Sequence, residues 1–188
     1  MTPARQILDW LLPVERWGIA VLALGVGVLA GVLYGWGHAV PMAGLAALSA
    51  AIARIDGAHF TIPDLLVLPL AVLGLGNTAL GGEALLPRVM AMAAVGLVLW
   101  VLRAGLSALK GRTVLGLGDV KLICAAAAWL PVELLPAFIF LSALSGLAEV
   151  ALGPKPAGPV AFGRHLAPWL TICVLARPWL MAGLLGVN

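Results

Sequence analysis

Gly116-Leu117-Gly118-Asp119-Val120-Lys121-Leu122-Ile123-Cys124-Ala125-Ala126-Ala127-Ala128-Trp129-Leu130 sets a carboxylate at the edge of a long apolar run. An acid at the margin of a membrane span is costly and is a functional residue by default. A second acid repeats the arrangement. Asp56 closes an apolar segment in Arg54-Ile55-Asp56-Gly57, and Ile62-Pro63-Asp64 opens the next. Two carboxylates at one membrane depth are the minimum equipment for hydrolysis by neighbouring acids that share a proton.

The surrounding composition fixes the class. Of 188 residues, 63% are hydrophobic and 10% are charged, with a mean hydropathy of +1.11. Soluble domains average about 45–50% apolar and about 25% charged residues, so the chain is an all-α, polytopic membrane bundle. About 20 apolar residues cross a bilayer. The pattern predicts seven spans, near Trp17–Tyr34, Ala39–Ala53, Leu65–Ala79, Leu85–Leu102, Val120–Leu135, Pro136–Leu152 and Leu166–Leu185. The runs lack the period-two alternation of a membrane β-barrel. Residues 1–16 mix apolar and charged side chains and read as an interfacial segment, not a cleaved signal. Residues 17–188 read as one transmembrane domain. The Gly153-Pro154-Lys155-Pro156 stretch reads as a loop.

Basic residues set the orientation. With the N-terminus inside, Arg5, Arg16, Arg54, Arg103, Lys110, Arg112, Lys121, Lys155 and Arg164 fall on the cytoplasmic side, and only Arg88 and Arg177 fall outside. The net charge of +3 is spread over span ends and gives no nucleic-acid stripe. This topology puts Asp56 and Asp119 at the same cytoplasmic face.

Each candidate has a plainer reading. Asp119 fits a helix N-cap, and Asp56 fits a solvated loop acid beside Arg54. Gly116 and Gly118 favour the active reading of Asp119, because they clear side chains from beside it and let another backbone approach. Asp64 follows Pro63 at a helix start, where an acid complements the dipole. It is assigned mainly to capping. Lys121 reads as a snorkelling anchor or as a contact to substrate or lipid phosphate. Glu149 faces the cavity or its edge. Cys124 and Cys173 form no CxxC pair, His38, His59 and His165 have no metal spacing, and Ser142 and Ser145 read as packing groups. No metal or other cofactor is expected.

Gly116-Leu117-Gly118-Asp119-Val120-Lys121-Leu122, with Asp56-x5-Ile62-Pro63-Asp64 upstream, resembles the type IV prepilin peptidases, the leader peptidases of the GxGD aspartic class. Leu68-Pro69-Leu70, Leu73-Gly74-Leu75 and Ala161-Phe162-Gly163 extend the resemblance over roughly residues 39–170. It implies that Asp56 and Asp119 are the catalytic pair, and that Gly116, Gly118, Lys121, Asp64 and Pro63 shape the site. It also implies a substrate class: prepilins or pseudopilins, each with a basic leader and an apolar helix. Cleavage is expected at the cytoplasmic face of the bacterial inner membrane, in the setting of type IV pili or type II secretion. Many members also methylate the new N-terminus through a domain with paired CxxC motifs. The sequence has no CxxC and resembles a short form without that domain, so methyl transfer is not expected. Arg164-His165 stands where the family usually has Pro and an aromatic residue. Two other classes remain open from sequence: a proton-coupled transporter and a non-catalytic pilus or secretion assembly protein. Lipid is expected as a partner and nucleic acid is not.

Overall fold

The computed structural model describes Ile7, residues 13–152 and residues 160–185. The expected interfacial segment at 1–16 lies mostly outside these residues, and so does the loop at 153–159. The described chain is helical, with no strand. From residue 13 onward, the described residues form eight α-helices: α1 (Pro13–Tyr34), α2 (Ala39–His59), α3 (Asp64–Leu80), α4 (Leu85–Lys110), α5 (Leu117–Ala126), α6 (Leu135–Leu152), α7 (Gly163–Leu175) and α8 (Arg177–Leu185). Short 3₁₀ turns at Trp36–His38 and Val132–Leu134 lead into α2 and α6.

Four helical stretches among the described residues are long and apolar enough to cross a membrane: Glu15–Tyr34, Trp36–His59, Leu85–Lys110 and Val132–Leu152. A fifth exists if α7 and α8 count as one span broken by a 76° bend. α3 (Asp64–Leu80) is a shorter apolar helix, and the expected count of seven is not confirmed. The bend follows from Pro178, whose missing N–H and ring break helical continuity at Ala176 and Arg177.

The other departure lies at Val120–Leu135, which the hydropathy reads as one span. The helix stops at Ala126. Ala128 and Trp129 then bond to carbonyls three residues back, at 3.1 and 3.0 Å. Pro131 follows and disfavours helix at Leu130. Ten residues rise about 15 Å, half of a bilayer core of about 30 Å. Irregular backbone at that depth is tolerated only inside protein, and Ala126, Ala127, Ala128 and Leu130 are indeed fully buried. Trp129 anchors the turn. Its indole N–H donates to the Leu70 carbonyl at 2.8 Å, and Thr78 Oγ1 donates to the Ala128 carbonyl at 3.1 Å. Gly74 makes room for the ring; a Cβ there would lie 2.7 Å from Trp129.

The core joins α2, α3, α5, α6 and α7 through Leu45, Ile52, Leu70, Leu122, Phe138, Leu166 and Leu170. By contrast, α4 exposes Leu86, Met90, Leu97, Val98 and Trp100, as a lipid-facing helix does. Since α3 starts at Asp64 and ends at Leu80, it carries the chain from one end of the bundle to the other over about 25 Å.

Candidate active site

Asp56 lies in the last turn of α2, and Asp119 in the first turn of α5. The two helices bring their carboxylates to one cavity of about 250 Å³, also lined by Phe60, Thr61, Ile62, Gly116, Leu117, Gly118 and Lys121. The two acids are close enough to act on each other electrostatically. Asp56 is only 5% exposed. It is not a solvated loop acid. Asp119 is not an N-cap either: that position is Gly116, and no side chain caps α5.

Gly116 and Gly118 serve the site by leaving space. A Cβ on Gly116 would lie 2.8 Å from Asp119 Oδ2, and one on Gly118 would lie 3.0 Å from Ile62 Cβ. Neither glycine has positive φ, so packing, not backbone freedom, requires them. The positive φ falls instead on Phe60 at +52°, which ends α2 with its N–H on the Asp56 carbonyl at 2.8 Å. An aromatic residue in the left-handed region is held there by its surroundings, and such strain gathers at functional sites.

Pro63 is the N-cap position of α3 and Asp64 its first residue. Asp64 complements the helix dipole as expected, but its carboxylate does not cap the helix. It takes the Lys121 ammonium at 2.7 and 2.9 Å. Lys121 is thus an ion-pair partner at the cavity edge, with 41% of its side chain exposed. In that setting the bond is worth little to stability.

Sequence reasoning did not place α7 in the site. Asp56 Oδ2 accepts the Arg164 N–H at 3.1 Å. Gly163 is crowded against the same acid; a Cβ there would sit 2.8 Å from Asp56 Oδ2 and 2.6 Å from Ile62 Cδ1. Behind it, Glu149 of α6 pairs with the Arg164 guanidinium at 3.0 Å and with His165 Nε2 at 2.9 Å. His165 Nδ1 also meets Ser145 Oγ at 3.1 Å. The signal was the Ala161-Phe162-Gly163 stretch, whose tie to Asp56 is a tertiary contact.

Larger cavities open elsewhere. One of about 620 Å³ is apolar and lies between α4 and α6 around Val95, Leu99 and Ile139. Another of about 430 Å³ lies at the far end of α3 around Tyr34, Asn77, Glu83 and Arg177. Neither brings two carboxylates together.

Residues 43–150 match the model of the type IV leader peptidase family. The chain belongs to this family. Among its curated relatives are prepilin leader peptidase/N-methyltransferases. The protein of that name from Neisseria gonorrhoeae is 38% identical over 81% of this chain and 54% of its own length. The one from Aeromonas hydrophila is 35% identical over 88% of this chain and 54% of its own length. The chain therefore spans about half the length of the curated relatives it matches. No solved structure matches. Both aspartates and both glycines of the cavity fall inside the stretch matched to the family.

Proposed function

We propose that this family member is a membrane aspartic endopeptidase that removes the basic leader from type IV prepilins or pseudopilins. The observation that carries the reading is the meeting of Asp56 and Asp119 in one small cavity beside a span end. Like charges so placed do not both ionise cheaply, so the pair holds one proton between them. One acid then accepts a proton from water while its neighbour donates to the scissile carbonyl. The cavity is too narrow for a helix and suits an extended strand of substrate. Its glycine-lined wall leaves backbone accessible beside Asp119.

The distribution of Lys and Arg argues that this end faces the cytoplasm in the inner membrane. A basic leader reaching it would meet the exposed carboxylates of Asp64 and Glu149. Pro63 and Lys121 fix the mouth on which Asp64 sits. The chemistry asks for no cofactor.

The test is incubation of the purified protein, in lipid discs, with a prepilin that carries its leader. Mass spectrometry should show release of the intact leader. An uncut prepilin would overturn the reading. Orientation is checked separately: reporters at Arg112 should read cytoplasmic and at Gly82 external.

A further inference from the structure

Asp56 and Asp119 share a cavity but have unlike surroundings. Asp56 meets the start of α7, where the Arg164 N–H donates to Oδ2 at 3.1 Å and the Gly163 N–H is directed at the same carboxylate. Arg164 is the second residue of α7. Its N–H is one of the first four of the helix, which have no partner within it. The positive end of the helix dipole adds to the attraction for an anion. Gly163 permits this approach because it has no side chain to push the carboxylate away.

Asp119 has no such support. It too lies in a first turn, but among the described residues no N–H or O–H group donates to its side chain, which sits over Gly116. Other charged groups surround the pair. Arg164 and His165 approach from α7, with Glu149 of α6 on both. Lys121 of α5 is engaged by Asp64 of α3. On α2, Arg54 pairs with Glu15, and His59 lies beyond. None of them supplies Asp119 with a hydrogen bond.

We infer that the N-terminus of α7 holds Asp56 as the ionised general base and leaves Asp119 to carry the shared proton as general acid. The assignment rests on the peptidase reading. Water attacks the scissile carbonyl carbon as Asp56 takes one of its protons, and Asp119 gives its proton to the carbonyl oxygen. The tetrahedral diol then collapses. Asp56 passes its proton to the amide nitrogen, Asp119 recovers one from a hydroxyl, and the C–N bond breaks. Both acids return to their starting states, and Gly163 and Arg164 act as positioning residues.

Two substitutions separate the Arg164 N–H from its guanidinium. Arg164→Ala and Arg164→Pro both lose the charge and the Glu149 pair, but only proline loses the N–H. Proline is tolerated in a first helical turn. The acid limb of the kcat/KM profile should lie about one pH unit higher in Arg164→Pro than in Arg164→Ala, because the donor favours the ionised base. Coincident limbs would overturn the assignment. A measurement independent of either variant is the infrared band of a protonated carboxyl. Followed by pH titration of the single variants, it should survive to higher pH in Asp56→Asn, where Asp119 remains, than in Asp119→Asn; the reverse order, or coincidence, overturns the assignment. A wild-type protein that leaves prepilin uncut removes the peptidase reading itself. One that cuts while the limbs coincide removes only the division of roles.

Discussion

At the far end of α3, one carboxylate is held between two guanidiniums; at the near end, two carboxylates are held against each other. Glu83 takes Arg88 at 2.7 Å and Arg177 on its other oxygen. Burial alone would raise its pKa, but the two cations outweigh that and hold it below the ordinary carboxylate range. Arg88 is 8% exposed and depends on this partner. Among the described residues neither Asp56 nor Asp119 forms a salt bridge: the Arg164 guanidinium, which attracts Asp56 only from a distance, is paired with Glu149, and Lys121 is paired with Asp64. A half-buried acid that is neutralised ties helices together. Two placed together without a salt bridge share one proton and leave one buried charge, the kind of arrangement that gathers at functional sites.

The largest expected effect tests the pair directly. Asp56→Asn and Asp119→Asn should each cut leader removal by about 100-fold or more, since Asn keeps size and polarity but cannot exchange the proton. Both variants should insert and fold, as thermal melting of the same preparations will show. Full activity in either would remove that residue from the catalytic role.

A smaller loss should follow from crowding the pair. Gly116→Ala must turn the Asp119 carboxylate, and a displacement of that size costs up to about 100-fold. Gly118→Val presses on Ile62 and should lose most activity with insertion intact, with Gly118→Ala intermediate. Cleavage and thermal melting should be read on the same preparations. A well-folded, fully active Gly118→Val protein would show that this packing is dispensable.

The smallest effect belongs to the balanced end. Glu83→Gln should leave cleavage unchanged while lowering the melting midpoint by a few degrees, at about 2–4 °C per kcal/mol for a chain this size. Glu83 has a lowered pKa when folded, so its contribution is present at neutral pH and fades as pH falls through that value. The gap between wild type and variant should therefore narrow once pH falls below the ordinary glutamate value of about 4.3, and close only as pH passes through the lowered folded value. A loss of activity at neutral pH would mean that the two ends are coupled.

Much of the near end was legible in the sequence. Asp56 and Asp119 stand out because a charge beside an apolar run has so few structural explanations. Helix positions at α1, α3 and α6 follow from hydropathy to within about four residues at their ends, whereas α2 and α4 run six and eight residues beyond the expected spans. The half-length of α5 was hidden: Ala125 to Leu130 is as apolar as any span, and hydropathy does not distinguish burial in protein from burial in lipid. The part played by Gly163 and Arg164 was hidden for another reason. It depends on α7 meeting α2, a contact across 108 residues of chain. The ion cluster of Glu83, Arg88 and Arg177 joins residues up to 94 apart and was equally silent.

The tight turn after α5 has a consequence for how the protein answers to its bilayer. A helix that spans lipid from end to end tilts or shifts when the hydrocarbon thickness changes. α5 has less of that freedom, because the turn at its distal end is fastened to α3 by Trp129 and Thr78 and sits beside Glu83 and Arg88 at the far end of the bundle. The depth of Asp119 is then fixed by neighbouring protein instead of by acyl-chain length. Cleavage rates should hold nearly constant from short-chain to long-chain phosphatidylcholine discs, even where α1 and α4 are forced to tilt.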